Sequence, residues 1–180
     1  MSFKTNLLSA ALLAGFSVAS LNAMAAPSAE VTLQGILTKT TCDVTINGGK
    51  SILNVGVFNN KVGGADASFP AINAITKAVD MPVTLVGCAD GENGELIIQG
   101  ITSTGNNEQN VFVANDSQTV GFMIQDDANT IITNGKGPVV DIGAGNTEGQ
   151  YTFKVGIATT TATPDVGAYS APVLIAYIVD

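Results

Sequence analysis

The chain has no histidine, no arginine and no tryptophan. Each absence removes a class of chemistry. Without histidine it lacks the commonest general base and the commonest metal ligand. Without arginine, and with a net charge of −8, it is a poor partner for phosphate backbones, so no nucleic-acid partner is expected. Charged residues make up 12% of the chain and aromatics 6%. No acid therefore sits in the aromatic, apolar setting that raises a carboxyl pKa for glycosidase chemistry. Serine and threonine are plentiful, but nothing nearby would activate them as nucleophiles. No cofactor, no metal and no catalytic residue are expected, and the chain does not read as an enzyme.

Gly-rich and acidic motifs support the same reading. The "NGKG" and "GAGNTEG" stretches lack the GK[ST] ending of a phosphate-binding loop. "DGENGE" brings three acids together, but not at the spacing of an EF-hand, and reads as a Gly-rich turn. Asp126 and Asp127, in "QDDAN", read as another turn.

One long apolar run stands out, over residues 7–21, with Lys4 as the only charge before it. It ends in "LNAMAAP", where Ala23 and Ala25 fit the −3 and −1 positions of a cleavage site. Residues 1–25 are expected to be a signal peptide. The competing reading, a membrane anchor, needs about 20 apolar residues; this run is short, and the cut site follows at once. No later stretch is apolar enough to cross a bilayer. The remaining length, about 155 residues, suits one domain with a real core.

An exported chain with two cysteines is expected to pair them, Cys42 with Cys88. The closed loop of about 45 residues would stabilise the fold by about 4 kcal/mol in the chain-entropy model. Neither cysteine lies in a CxxC, which argues against a reactive or metal-binding pair.

What remains is a series of short alternating runs cut by turn signals. Asn47-Gly48 reads as a hairpin turn between "CDVTI" and "ILNVGVF". "AINAITKAVD" could form a helical turn. "MPVTLVGC", "ELIIQGITST", "NVFVA", "TVGFMIQD", "NTIIT", "YTFKVGIATT" and "APVLIAYIVD" read as strands. Many short strands without a long amphipathic helix predict an all-β sandwich or barrel.

Residues 29–37, "AEVTLQGIL", form the most informative stretch. Ala29, Val31, Leu33 and Leu37 share one face of an extended chain, and Gly35 interrupts that face. A glycine in the buried face of a strand marks a close approach of another backbone. With "LQGILTKTTCDV" behind a signal, "MPVTLVGC", "TVGFMIQDD", "YTFKVGIATT" and "VGAYSAPVLIAYIVD", the chain resembles the pilin subunits of the chaperone–usher pathway, the type 1 and P-pilus kind. The resemblance runs over essentially the whole mature chain, on motifs that are individually weak but ordered.

The resemblance implies an incomplete immunoglobulin-like β-sandwich, the pilin fold, lacking its final strand. It divides the chain into a signal peptide (1–25), an N-terminal donor-strand extension overlapping the first strand (26–37) and a pilin domain (38–180). Ala29, Val31, Leu33, Gly35 and Leu37 would form the donor strand that completes a neighbour's core. Val173, Ile175, Tyr177 and Val179 would form the C-terminal strand beside the groove that a chaperone strand fills first. The implied partners are neighbouring pilin subunits in a homopolymer, a periplasmic chaperone and an outer-membrane usher. The implied location is a cell-surface fimbria, reached through the periplasm, and the implied role is structural, supporting adhesion. A minor adaptor or a single-domain adhesive tip subunit, binding a host receptor, is the alternative. The chain departs from the pattern at its end: Val179 stands where the family often has a penultimate tyrosine, and Tyr177 lies two residues earlier.

Overall fold

The computed structural model describes residues 35–59 and 71–179. Its elements are strands β1 (Asp43–Ile46), β2 (Thr76–Val86), β3 (Asn93–Thr102), β4 (Phe112–Val113), β5 (Val120–Gln125), β6 (Val139–Asp141), β7 (Glu148–Thr159) and β8 (Val173–Ile178), with one 3₁₀ turn at Asn47–Gly49. The fold is all-β, as the alternating runs predict. Every strand ladder is antiparallel, in the order β1-β2-β7-β5-β4-β3-β6, and β8 also pairs with β3, along Glu95–Gly100.

Alternation explains how two layers form. In β2, Met81, Val83 and Leu85 are buried while Pro82 is exposed. In β3, Leu96 and Ile98 point the same way, and in β7 so do Phe153 and Val155. These side chains meet Ile175 and Tyr177 of β8 in one apolar core, the arrangement of an immunoglobulin-like sandwich. A smaller cluster of Val111, Val113, Met123 and Ala158 lies apart from it. The disulfide Cys42–Cys88 joins the start of β1 to the end of β2. At Gly121 the packing tolerates no side chain: a Cβ there would lie 2.2 Å from the Phe112 carbonyl oxygen.

Three local expectations fail. First, Asn47-Gly48 does not turn the chain into a β-hairpin. Asn47, Gly48 and Gly49 all have positive φ (53°, 61° and 77°). A two-residue hairpin turn uses two such residues; the third carries the chain past the return position, and residues 51–58 join no strand ladder. Second, the segment read as a helical turn is strand from Thr76 onward, broken by a register shift between Thr76 and Val79 with Lys77 at φ 50°. Third, "NTIIT" reaches only an isolated bridge, Ile131 to Gln125.

Candidate functional site

The molecule's most distinctive feature is a pair of strands with one partner each. β1 pairs only with β2, and β8 pairs only with β3, so each presents an unpaired edge among the described residues. Between them runs an open groove of about 990 Å³. Its apolar lining comes from Val44 and Ile46 of β1, Val173 and Ile175 of β8, and a floor of Met81, Phe112, Phe122, Ile124 and Val155. A second compartment of about 580 Å³ shares Leu53, Val55, Phe122 and Tyr169 with the first and extends to the 164–169 loop.

Residues 51–58 form one wall of both compartments. The segment alternates: Leu53 and Val55 are partly buried against the core, while Ile52 and Val57 are 78% and 92% exposed. Its start is tied down by Asn47, whose Nδ2 donates to the carbonyls of Lys50 (3.2 Å) and Ile52 (2.9 Å). Three exposed apolar side chains, Ile52, Val57 and Val166, thus lie along the mouth of the second compartment. Exposed apolar surface of this kind marks an interaction site.

Outside the groove lining, a polar clip ties the chain ahead of β1 to the end of β8 and to the turn before β3. The Val179 N–H donates to Thr38 Oγ1 (3.1 Å), joining the end of β8 to the chain ahead of β1. Glu92 is only 9% exposed. Its carboxylate accepts the Thr40 hydroxyl, the Thr41 hydroxyl (2.8 Å), the Ala89 N–H (3.0 Å) and the Thr41 N–H (3.4 Å). Burial pushes the Glu92 pKa up, but these donors outweigh it and hold the carboxyl below its ordinary value. The Tyr177 hydroxyl donates to the Val140 carbonyl (2.8 Å) and reaches the Glu92 carbonyl (3.4 Å). Burial, and then the charges of Glu92 and Asp141, push that phenol up.

The expected site residues are therefore placed unequally. Val173 and Ile175 line the groove. Tyr177 is fully buried beside Glu92, and Val179 is partly buried, bonded to Thr38 and outside the groove lining. Cys42 and Cys88 are bridged. Leu37 is 97% exposed, and no described atom lies within 4 Å of a Cβ placed on Gly35. Ala29, Val31 and Leu33, like residues 1–25, lie outside the described residues. Two features escaped the sequence reading. Glu92 looked like one acid of a turn, and the 51–58 wall looked like a hairpin strand. The Thr-Lys-Thr-Thr run ahead of Cys42 offers hydroxyl donors for a carboxylate, but nothing local in the sequence names Glu92 as its partner. Among the described residues no group of three His, Cys, Asp or Glu could hold a metal ion.

No family model matches the chain, and no curated protein matches it. Solved structures do. A subunit structure from a study of a chaperone–usher pilus and the uncoiling of its rod matches with a TM-score of 0.57 at 15% identity, over 85% of this chain and 96% of that one. The P pilus rod subunit PapA matches with a TM-score of 0.55 at 15% identity, over 76% and 99%. An antigen and type I fimbria protein of Burkholderia pseudomallei matches with a TM-score of 0.51 at 18% identity, over 78% and 95%. The fold of this chain is the one these pilus subunits share.

Proposed function

We propose that this chain is a structural subunit of a surface fimbria, built by donor-strand exchange. The open groove between β1 and β8 carries the proposal. It is an apolar core with a strand's width left unfilled, flanked by backbone edges that have donors and acceptors to spare. An extended segment with alternating apolar side chains is the occupant such a groove fits, with backbone bonds supplying affinity and side chains filling pockets.

Residues 26–37 of a second copy have that pattern. Ala29, Val31, Leu33 and Leu37 would enter the groove, and Gly35 would pass its narrow point. Each large apolar side chain so buried contributes about 1.5–3 kcal/mol. In this reading residues 1–25 direct export and are removed, and residues 38–180 form the pilin domain. A periplasmic chaperone fills the groove before assembly, and an outer-membrane usher exchanges it for the next subunit. The finished polymer lies outside the cell and supports adhesion. The exposed, unpacked surroundings of Gly35 and Leu37 agree with a segment whose contacts are made elsewhere.

The test is to produce residues 26–180 alone and follow their state by light scattering and electron microscopy. Strand-swapped oligomers, fibres or aggregates are expected. A stable monomer with an empty groove and no added strand would overturn the proposal.

A further inference from the structure

We infer that Glu92 is the anchor that fixes the base of the N-terminal extension, so that it sets how rigidly one subunit is joined to the next. This rests on the fibre reading above, but the observations behind it are separate from the groove. Glu92 lines neither groove compartment. It lies in the turn between β2 and β3, and its carboxylate gathers four donors, three of them from Thr40 and Thr41. A buried carboxylate is tolerated only when its oxygens are met by donors, as these are.

The clip divides the chain sharply. Residues 40 and 41 are held by Glu92, and Cys42 follows, tied by its disulfide and by its N–H to Thr40 Oγ1 (3.0 Å). Thr38 is bonded to Val179. One residue earlier, Leu37 is 97% exposed, and a Cβ placed on Gly35 would meet no described atom within 4 Å. Among the described residues the last hydrogen-bonded point ahead of β1 is therefore Thr38, and beyond it only Ile36 is half-buried. If a donor strand ends at Leu37, hardly any free chain remains between two subunits. A joint so short is stiff only if its root is, and that root is held by the Glu92 carboxylate at Thr40 and Thr41 together with the Thr38–Val179 bond. Replacing the carboxylate with an amide removes the charge that holds four donors at once and puts an NH2 group where an acceptor oxygen stood.

The experiment compares three full-length chains with the wild type: Glu92→Gln, the pair Thr40→Val with Thr41→Val, and the pair Thr40→Ser with Thr41→Ser. Amide hydrogen exchange is read at Thr41 and Cys42, and helical order is read in electron micrographs of fibres. Glu92→Gln and the valine pair should exchange about tenfold faster or more at these amides, the size of one lost charged hydrogen bond. Both should also give fibres whose subunits vary in orientation. The serine pair keeps both hydroxyls and should match the wild type in both measurements. Unchanged exchange in Glu92→Gln, or faster exchange with fully ordered fibres, would overturn the inference. So would disorder in the serine pair. A wild-type chain that forms no fibres would instead remove the assembly reading, and this role with it, a failure visible without any variant.

Discussion

Two glycines separate what a residue does for its own domain from what it does for a neighbour. Gly121 sits in β5 against the backbone of β4, where a Cβ would lie 2.2 Å from the Phe112 carbonyl oxygen and 2.6 Å from Val113 Cγ1. A Cβ on Gly35 would meet no described atom within 4 Å. Gly121→Val should therefore lose about 1–3 kcal/mol or fail to fold, because well-packed sites punish added volume. Gly35→Val should change the stability of its own domain by less than about 0.5 kcal/mol, as surface substitutions do. Yet it should sharply reduce fibre length if, as proposed above, this position enters the neighbour's groove, because the added bulk would then recur at every junction. Thermal unfolding in the presence of a groove ligand, with fibre lengths from micrographs, checks both. Normal fibres from Gly35→Val would remove this glycine from the donor strand. The sequence displayed the gap at Gly35 because alternation makes a missing side chain visible. It hid Glu92 because three of the acid's four donors, on Thr40 and Thr41, are some fifty residues away, and a glutamate between two glycines looks like solvent-facing charge.

At the scale of elements, legibility follows burial on one face. β2, β3, β5, β7 and β8 were readable because each sets apolar side chains on the core in alternate positions. β6 went unread: it is three residues long and buries only Val140. The 51–58 segment was misread because its alternation is real while its hydrogen bonds are missing. It has the side-chain pattern of a strand and no ladder partner, which is what a groove wall awaiting a strand should look like. Its position depends on the Asn47 side chain, which bonds two carbonyls at its start. Asn47→Gly preserves the positive φ and deletes only the amide. Each exposed hydrogen bond contributes about 0.5–1 kcal/mol, so global stability should fall by no more than about 2 kcal/mol. The local effect should be larger: protease cleavage within residues 50–58 should speed up several-fold relative to the rest of the domain, by mass-spectrometric mapping of limited digests. Cleavage unchanged in this segment would show that Leu53 and Val55 alone hold the wall.

For the whole molecule, an unfilled strand position means that stability depends on something outside the domain. Anything that binds the folded state alone stabilises it by RT ln(1 + [L]/Kd), about 2.7 kcal/mol at a hundredfold excess over Kd. A synthetic peptide of residues 26–37, added to a chain that begins at residue 38, should therefore raise the unfolding midpoint. In a domain of this size that amounts to about 5–10 °C at the same excess. The rise should continue with the logarithm of peptide concentration. The nature of the attraction can be separated from its existence. The whole chain carries a net charge of −8, but residues 26–37 hold a single charged side chain, Glu30, and the groove's side-chain lining is apolar apart from Lys50 and a few neutral polar groups. Apolar burial and backbone pairing would do the binding, and neither is screened by salt as a charged contact is. The midpoint shift should thus be nearly the same at low and at high ionic strength. It should disappear when Leu33 of the peptide is replaced by aspartate, which would bury an unpaired charge. A wild-type peptide that leaves the midpoint unmoved at saturating concentration would show that the groove takes another occupant. A shift that collapses with added salt would show that charged contacts, rather than apolar burial and backbone pairing between β1 and β8, hold the peptide.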